Sequence, residues 1–428
     1  MQNLSDVINA KLCLGCGLCS FNQNEEDPIE MHYSDRRGLF IPKINNLNSI
    51  NSKSGFDSCP GKGYQIDSLA KEFKFGEHFN EDLGSFNSIV AVTSNQKDRL
   101  TNASSSGIMT TLLDYMIENN IVDKAIVTKF EYTENGPITK PFITRDYNEL
   151  MDAQGSKYCP VNFSDVLREL KENQGSSSYA FVGTPCQIAG LRSIQNNIQD
   201  LGIKFFIGNF CGGFKSYNNL KRLIYINNIE PIDVNYFRFR GGGQPGSMQI
   251  KTKNQVLEIQ YPEYVKMTGY SKVKRCHLCV DATAELADFS CGDAWLPEFL
   301  DTKIPTSIVI TRTQIASEII DQMKRLKLIS CTPLSPEKTV ESQYANIETK
   351  KHRQRGRIKL HKFLGYKIPM INEGYRINGT YSLFLETRVF ISHRLKYLFE
   401  KTGLFYYFYY KNSFISRVLS KLFKDIYN

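Results

Sequence analysis

Tyr179-Ala180-Phe181-Val182-Gly183-Thr184-Pro185-Cys186-Gln187-Ile188-Ala189-Gly190-Leu191 compresses a strand, a break and the start of a helix into one stretch. The apolar run 179–182 has the length of a buried strand, Gly183-Thr184-Pro185 ends it, and residues 187–195 can wind as a helix. Residues 203–206 repeat the plan and lead to Cys211-Gly212-Gly213. Upstream, residues 88–92 read as a strand. Residues 104–119 place Ile108, Met109, Leu112, Leu113, Met116 and Ile117 on one helical stripe, and residues 123–130 read as the next strand. Such alternation predicts an α/β core with a largely parallel or mixed sheet, whose strand C-termini are the usual ligand edge. Cys186 and Cys211 both fall just past such ends. Residues 235–300, with a glycine-rich turn at 241–246 and an alternating segment at 248–252, read as strands and loops.

The chain has 428 residues, 41% hydrophobic and 23% charged, an ordinary globular composition that excludes disordered, collagen-like and coiled-coil classes. No apolar run approaches the roughly 20 residues that cross a bilayer, and residues 1–10 lack a signal pattern. A cytoplasmic protein is expected. Eleven cysteines in such a chain point to metal ligation or redox work rather than a disulfide scaffold.

Cys13, Cys16 and Cys19 form C-x2-C-x2-C, and Cys59 follows with Pro60 directly after it. Short spacing lets one loop present three soft thiolates to a compact cubane, and a remote Cys-Pro supplies the fourth, so one 4Fe-4S site is expected here. Zinc is the competing reading, but it prefers paired C-x2-4-C spacings. A second set is dispersed: Cys186, Cys211 and the pair Cys276 and Cys279. Spacing alone leaves it open as another cubane, a zinc site or buried inert thiols. Cys159, Cys291 and Cys331 stand apart as small buried hydrophobes.

Ser104-Ser105-Ser106-Gly107 precedes the helical stripe, where unpaired N–H groups and a positive dipole end can seat a phosphate; an ordinary serine N-cap accounts for the same residues. Gly155-Ser156-Lys157-Tyr158 offers a cation and hydroxyls near a phosphate or flavin ring, or a surface turn.

Taken in order, these motifs, with Gly190-Leu191, Cys276-x2-Cys279-x-Asp281, Ala287-Asp288 and Gly292-Asp293-Ala294-Trp295, resemble the beta subunits of coenzyme F420-reducing hydrogenase and formate dehydrogenase over residues 8–340. The resemblance implies a flavin, FAD (or FMN), beside an iron–sulfur cluster. It puts Ser104, Ser105, Ser106, Gly107, Gly155, Ser156, Lys157, Tyr158, Gly183 and Thr184 at the flavin, and Cys186, Cys211, Cys276 and Cys279 around an internal 4Fe-4S cluster. Where that family commonly has Cys-His-Gly, this chain has Cys211-Gly212-Gly213, and Phe237-Arg238-Phe239-Arg240 runs into an unusual Gly241-Gly242-Gly243. The implied activity is a flavin-dependent iron–sulfur oxidoreductase with a small-molecule hydride partner and an electron carrier such as ferredoxin. The alternatives are a non-catalytic electron-transfer subunit and a zinc-stabilised binding protein.

Four segments are expected: a small ferredoxin-like α+β domain (1–75), two halves of the flavin domain (80–175 and 176–345, the latter with the second cluster) and a mostly helical tail (346–428). From residue 348 onward there are 17 Lys/Arg against 5 Asp/Glu, so the tail carries +12 and the rest −3 of the overall +9. The dense run 350–359, the stripe Phe384, Phe390, Ile391, Leu395, Leu398 and Phe399, and the aromatic run 405–410 suit peripheral contact with an anionic membrane face, packing on the body or an oligomer partner, or docking of an acidic carrier. No reader module for nucleic acid accompanies the charge.

Overall fold

The computed structural model describes residues 1–370, apart from 74, 269–271 and 303, together with residues 383–401. Its centre is an eight-stranded mixed sheet. The strands in chain order are β1 (Ser88–Ser94), β2 (Lys124–Thr133), β3 (Gly136–Thr144), β4 (Tyr179–Gly183), β5 (Ile203–Asn209), β6 (Phe289–Asp293), β7 (Ser307–Thr311) and β8 (Ile329–Pro333). Across the sheet the order is β8-β1-β7-β6-β5-β4-β2-β3. The run β6-β5-β4-β2 is parallel. β7 is antiparallel to both β6 and β1, so β1 points the same way as that run; β3 and β8 run against it.

Helices cover both faces of this sheet. α1 (Ile108–Glu118) packs Leu112 and Met116 on one face with Val309 and Phe289. α2 (Pro185–Asn197) packs Ile188, Leu191 and Ile194 on the other with Phe181 and Phe206. Within β4, Phe181 and Ala180 fall into different clusters, as the period of two along a strand requires; a side chain the size of Phe181 contributes roughly 1.5–3 kcal/mol when fully buried. α1 begins with its stripe at Ile108 rather than at residue 104, because Ser104–Ser106 form a turn that Gly107 closes at φ +71. β2 extends past residue 130 into a hairpin with β3 that the apolar pattern missed.

The N-terminal segment carries helices Leu4–Asn9, Ile50–Asp57 and Ile66–Glu72 and a hairpin of Glu30–Ser34 with Leu39–Lys43. Leu18, Phe21 and Ile66 share the apolar cluster of α2, which fixes this segment beside the sheet. A three-stranded sheet, Tyr236–Arg238, Ser247–Lys251 and Val256–Gln260, covers the region read as strands and loops.

At the C-terminal side, α3 (Gln354–Phe363) packs on α4 (Leu383–Lys401). The basic run 350–359 divides here, with Arg355 and Lys359 exposed and Lys350, Lys351 and Arg357 turned inward. Lys350 and Lys351 are 3% and 1% exposed and Arg357 is buried. Lys351 pairs with Glu285 at 2.7 Å, while Arg353 and Arg357 grip the buried Glu386 at 2.8 and 2.9 Å. On α4, Phe390 packs against His361 and Tyr366, whereas Phe384 is 81% exposed. The aromatic run 405–410 lies outside the described residues. No described helix is long and apolar enough to cross a membrane.

Candidate functional site

The N-terminal thiols come from a loop that glycine makes possible. At Gly17, φ is +73 and any side chain would run into Asn162 and the backbone at Ser164, so only glycine fits. The turn brings Cys13, Cys16 and Cys19 to one cavity, and Cys59, just past the helix Ile50–Asp57, closes it beside Leu4, Val7 and Pro60. Backbone N–H groups point at the sulfurs: Gly15 at Cys13, Leu18 at Cys16, and both Gly61 and Lys62 at Cys59. Burial, and next the facing Cys59, raise the pKa values of Cys13, Cys16 and Cys19, that of Cys13 to about 12. Four thiols in an apolar pocket with amides aimed at them suit thiolates neutralised by bound metal, whose loading expels the protons. Among the described residues no three Cys, His, Asp or Glu side chains are placed to hold a single metal ion.

The dispersed cysteines also converge. Cys186 sits in the first turn of α2, whose N-terminus is held by the Thr184 N–H donating to Gln187 Oε1 at 2.8 Å. Cys211 follows β5, pinned where its N–H meets the Ala282 carbonyl at 2.9 Å. Cys276 and Cys279 flank the end of a short helix, Lys274–His277. Burial first, then Cys211, raise the pKa of Cys186 to about 12 and of Cys276 to about 11. The sulfurs have donors of their own: Gly213 N–H to Cys211 at 3.3 Å, Thr184 Oγ1 beside Cys186 at 3.3 Å, and Lys350 Nζ to Cys279 at 3.5 Å. Lys272 and Arg275 are further cations whose charge the thiols feel.

The two quartets adjoin. Arg275, next to Cys276, donates to the carbonyl of Pro60, next to Cys59, at 3.1 Å. Cys13, Cys16, Cys186 and Cys276 share one apolar cluster.

The serine turn lies at the same edge of the sheet, since the N–H of Ser94, the last residue of β1, bonds to the Ser106 carbonyl. Ser106 and Ser105 meet Ser307 at 2.7 and 3.1 Å. Ser104 Oγ donates to the Arg240 carbonyl at 3.0 Å and accepts from the Ser156 N–H at 2.9 Å, so the two predicted turns touch. Gly155 lies against them, with φ +85 and no atom closer than 3.6 Å to an added Cβ. Lys157 Nζ is held by two carbonyls, of Ala153 and Gln154, at 2.5 and 2.8 Å. The residue as a whole keeps some solvent contact, but its ammonium end is enclosed, and that burial pulls its pKa to about 7. Tyr158 packs edge-on against Phe239. Gly183 and Thr184, expected with this group, make their contacts beside the second quartet instead: Gly183 O accepts from Asn209 and Thr184 adjoins Cys186.

Sequence reading missed Arg240 as a site residue. It pairs with Asp293, lies over Trp295 and keeps a buried Nη2 without a partner. Its one signal was its place just before Gly241-Gly242-Gly243. Asp288, by contrast, is a fastener: it accepts from Arg192 of α2 and from the Phe206 N–H of β5.

A doubly covered mixed sheet with thiol groups and a polar turn along its C-terminal edge defines a protein of the α/β class. Two profiles resolve the family: coenzyme F420 hydrogenase/dehydrogenase beta subunit N-term matches residues 89–168, and the C terminus of the same subunit matches residues 176–337. The chain belongs to the coenzyme F420 hydrogenase/dehydrogenase beta subunit family, a family of oxidoreductase components. It is 25% identical over 334 residues to the coenzyme F420-dependent sulfite reductase of Methanocaldococcus jannaschii, covering 74% of this chain but only 46% of that protein. It is 25% identical over 270 residues to coenzyme F420 hydrogenase subunit beta of Methanothermobacter thermautotrophicus, 59% of this chain and 86% of that one. In fold it is similar to a chain of the F420-reducing [NiFe] hydrogenase complex of Methanosarcina barkeri, with a TM-score of 0.52 at 22% identity over 67% of this chain and 96% of that chain.

Proposed function

We propose that this chain is a flavin-dependent iron–sulfur oxidoreductase, with one 4Fe-4S cluster held by Cys13, Cys16, Cys19 and Cys59 and a second by Cys186, Cys211, Cys276 and Cys279. FAD (or FMN) lies at Ser104–Gly107 and Gly155–Tyr158. A flavin exchanges two electrons as hydride and passes them on singly, and the clusters carry them one at a time. The observation that carries the reading is the contact between the two thiol quartets through Arg275 and Pro60, which supports a continuous path from the surface segment toward the sheet.

The protein's own residues bind and orient. The N–H groups of Gly15, Leu18, Gly61 and Gly213 hold negative charge on the sulfurs, and hydrogen bonds of this kind set cluster potentials. Leu4, Val7 and Pro60 keep water from the first quartet. The unpartnered Nη2 of Arg240 and the enclosed ammonium of Lys157 suit an acceptor-rich ligand such as the flavin's phosphates. The electron donor or acceptor is an outside carrier such as ferredoxin or a partner subunit. The match to 86% of a hydrogenase beta subunit favours one second reading, an electron-transfer subunit serving a catalytic partner.

The chain, reconstituted anaerobically with iron, sulfide and FAD, is expected to pass electrons from a reduced viologen to a soluble hydride acceptor. Flavin retention with no turnover selects the electron-transfer subunit. Failure to retain flavin overturns the first reading, and failure to retain iron overturns both.

A further inference from the structure

We propose that Lys350 is a positioning residue that sets the reduction potential of the cluster held by Cys186, Cys211, Cys276 and Cys279, by fixing a positive charge and a charge-assisted N–H···S hydrogen bond on the Cys279 sulfur. The inference rests on the cluster reading above and names a residue beyond the stretches that the family profiles match.

Lys350 lies 71 residues along the chain from Cys279, yet its Nζ stands 3.5 Å from that sulfur and 2.7 Å from the carbonyl oxygen of Asp281. It reaches there because Glu348–His352 winds as a π-helix after Tyr344–Ile347, a geometry that recurs at functional sites. The wider turn sends two consecutive lysines inward. Lys351 meets a carboxylate, Glu285, at 2.7 Å; Lys350 meets a carbonyl and a sulfur. Burying an ammonium costs several kcal/mol unless negative charge repays it. Four thiolates around a cubane carry a net negative charge that grows by one unit on reduction. A fixed cation against one ligand sulfur therefore favours the reduced form, and at 3% exposure it is shielded little by water or salt.

The test is a potentiometric titration of the full, anaerobically reconstituted chain followed by electron paramagnetic resonance, for the wild type, Lys350→Met and Lys350→Arg. The expected result is that Lys350→Met moves one cluster signal to more negative potential by at least about tenfold in its reduction equilibrium, about 59 mV for one electron, while the other signal stays and Lys350→Arg restores most of the shift. Two unmoved signals, or an Arg variant displaced as far as Met, overturn the assignment. Should Lys350→Met not fold, the wild type labelled with nitrogen-15 at lysine Nζ decides: a nitrogen coupling to the reduced cluster, lost in Lys350→Arg, supports the assignment, and its absence overturns it. A wild-type chain with no iron at this quartet overturns the cluster reading itself, a result separable from an unmoved potential.

Discussion

Lys157 keeps its ammonium against two carbonyls with its pKa drawn to about 7 by burial. Between that value and the ordinary lysine value of 10.5, the unfolded chain binds the extra proton, so this residue's contribution to stability rises with pH across the window. In flavin-free protein, the melting temperature of the wild type should gain more between pH 7 and 10 than that of Lys157→Met; parallel curves would contradict the burial. At the second quartet, Cys279→Ser should cut iron and sulfide from about eight to about four per chain and leave one set of cluster signals. Unchanged iron would remove Cys279 from the ligands. The cysteines and the serine turn were legible because thiols and small residues announce their chemistry by type. Lys350 was not, because nothing in a run of basic residues marks which of them folds inward.

Among the elements, the tail departs furthest from its composition. Glu386 on α4 receives Arg353 and Arg357, with its side chain 3% exposed, and removing it would take the carboxylate from the buried Arg357 and the half-buried Arg353. Glu386→Ala should cost about 3–5 kcal/mol and be read as faster amide exchange across α3 and α4, with the sheet unaffected; unchanged exchange would show that these ion pairs do not anchor α4. The strands β4 and β5 stood out in the sequence because short apolar runs between breakers have few other uses. The β2–β3 hairpin did not, although Phe130 and Tyr132 alternate with Lys129, Glu131 and Thr133; their apolar partners, such as Phe237, lie about a hundred residues further on.

For the molecule as a whole, the α/β class followed from local alternation, but the meeting of residues 13–59 with residues 186–279 depends on how the N-terminal segment packs on α2. Gly190 decides that approach: a Cβ there would strike Leu18 and stand 3.0 Å from the Ser58 carbonyl. A Gly190→Ala chain should lose stability and show weaker magnetic coupling between its cluster signals, and identical coupling would mean the two quartets do not depend on this contact. The central claim is that eight cysteines form two cubane sites, and the most direct measurement is iron and acid-labile sulfide per chain after anaerobic reconstitution. The account predicts about eight of each; a colourless chain holding zinc and no sulfide would contradict it.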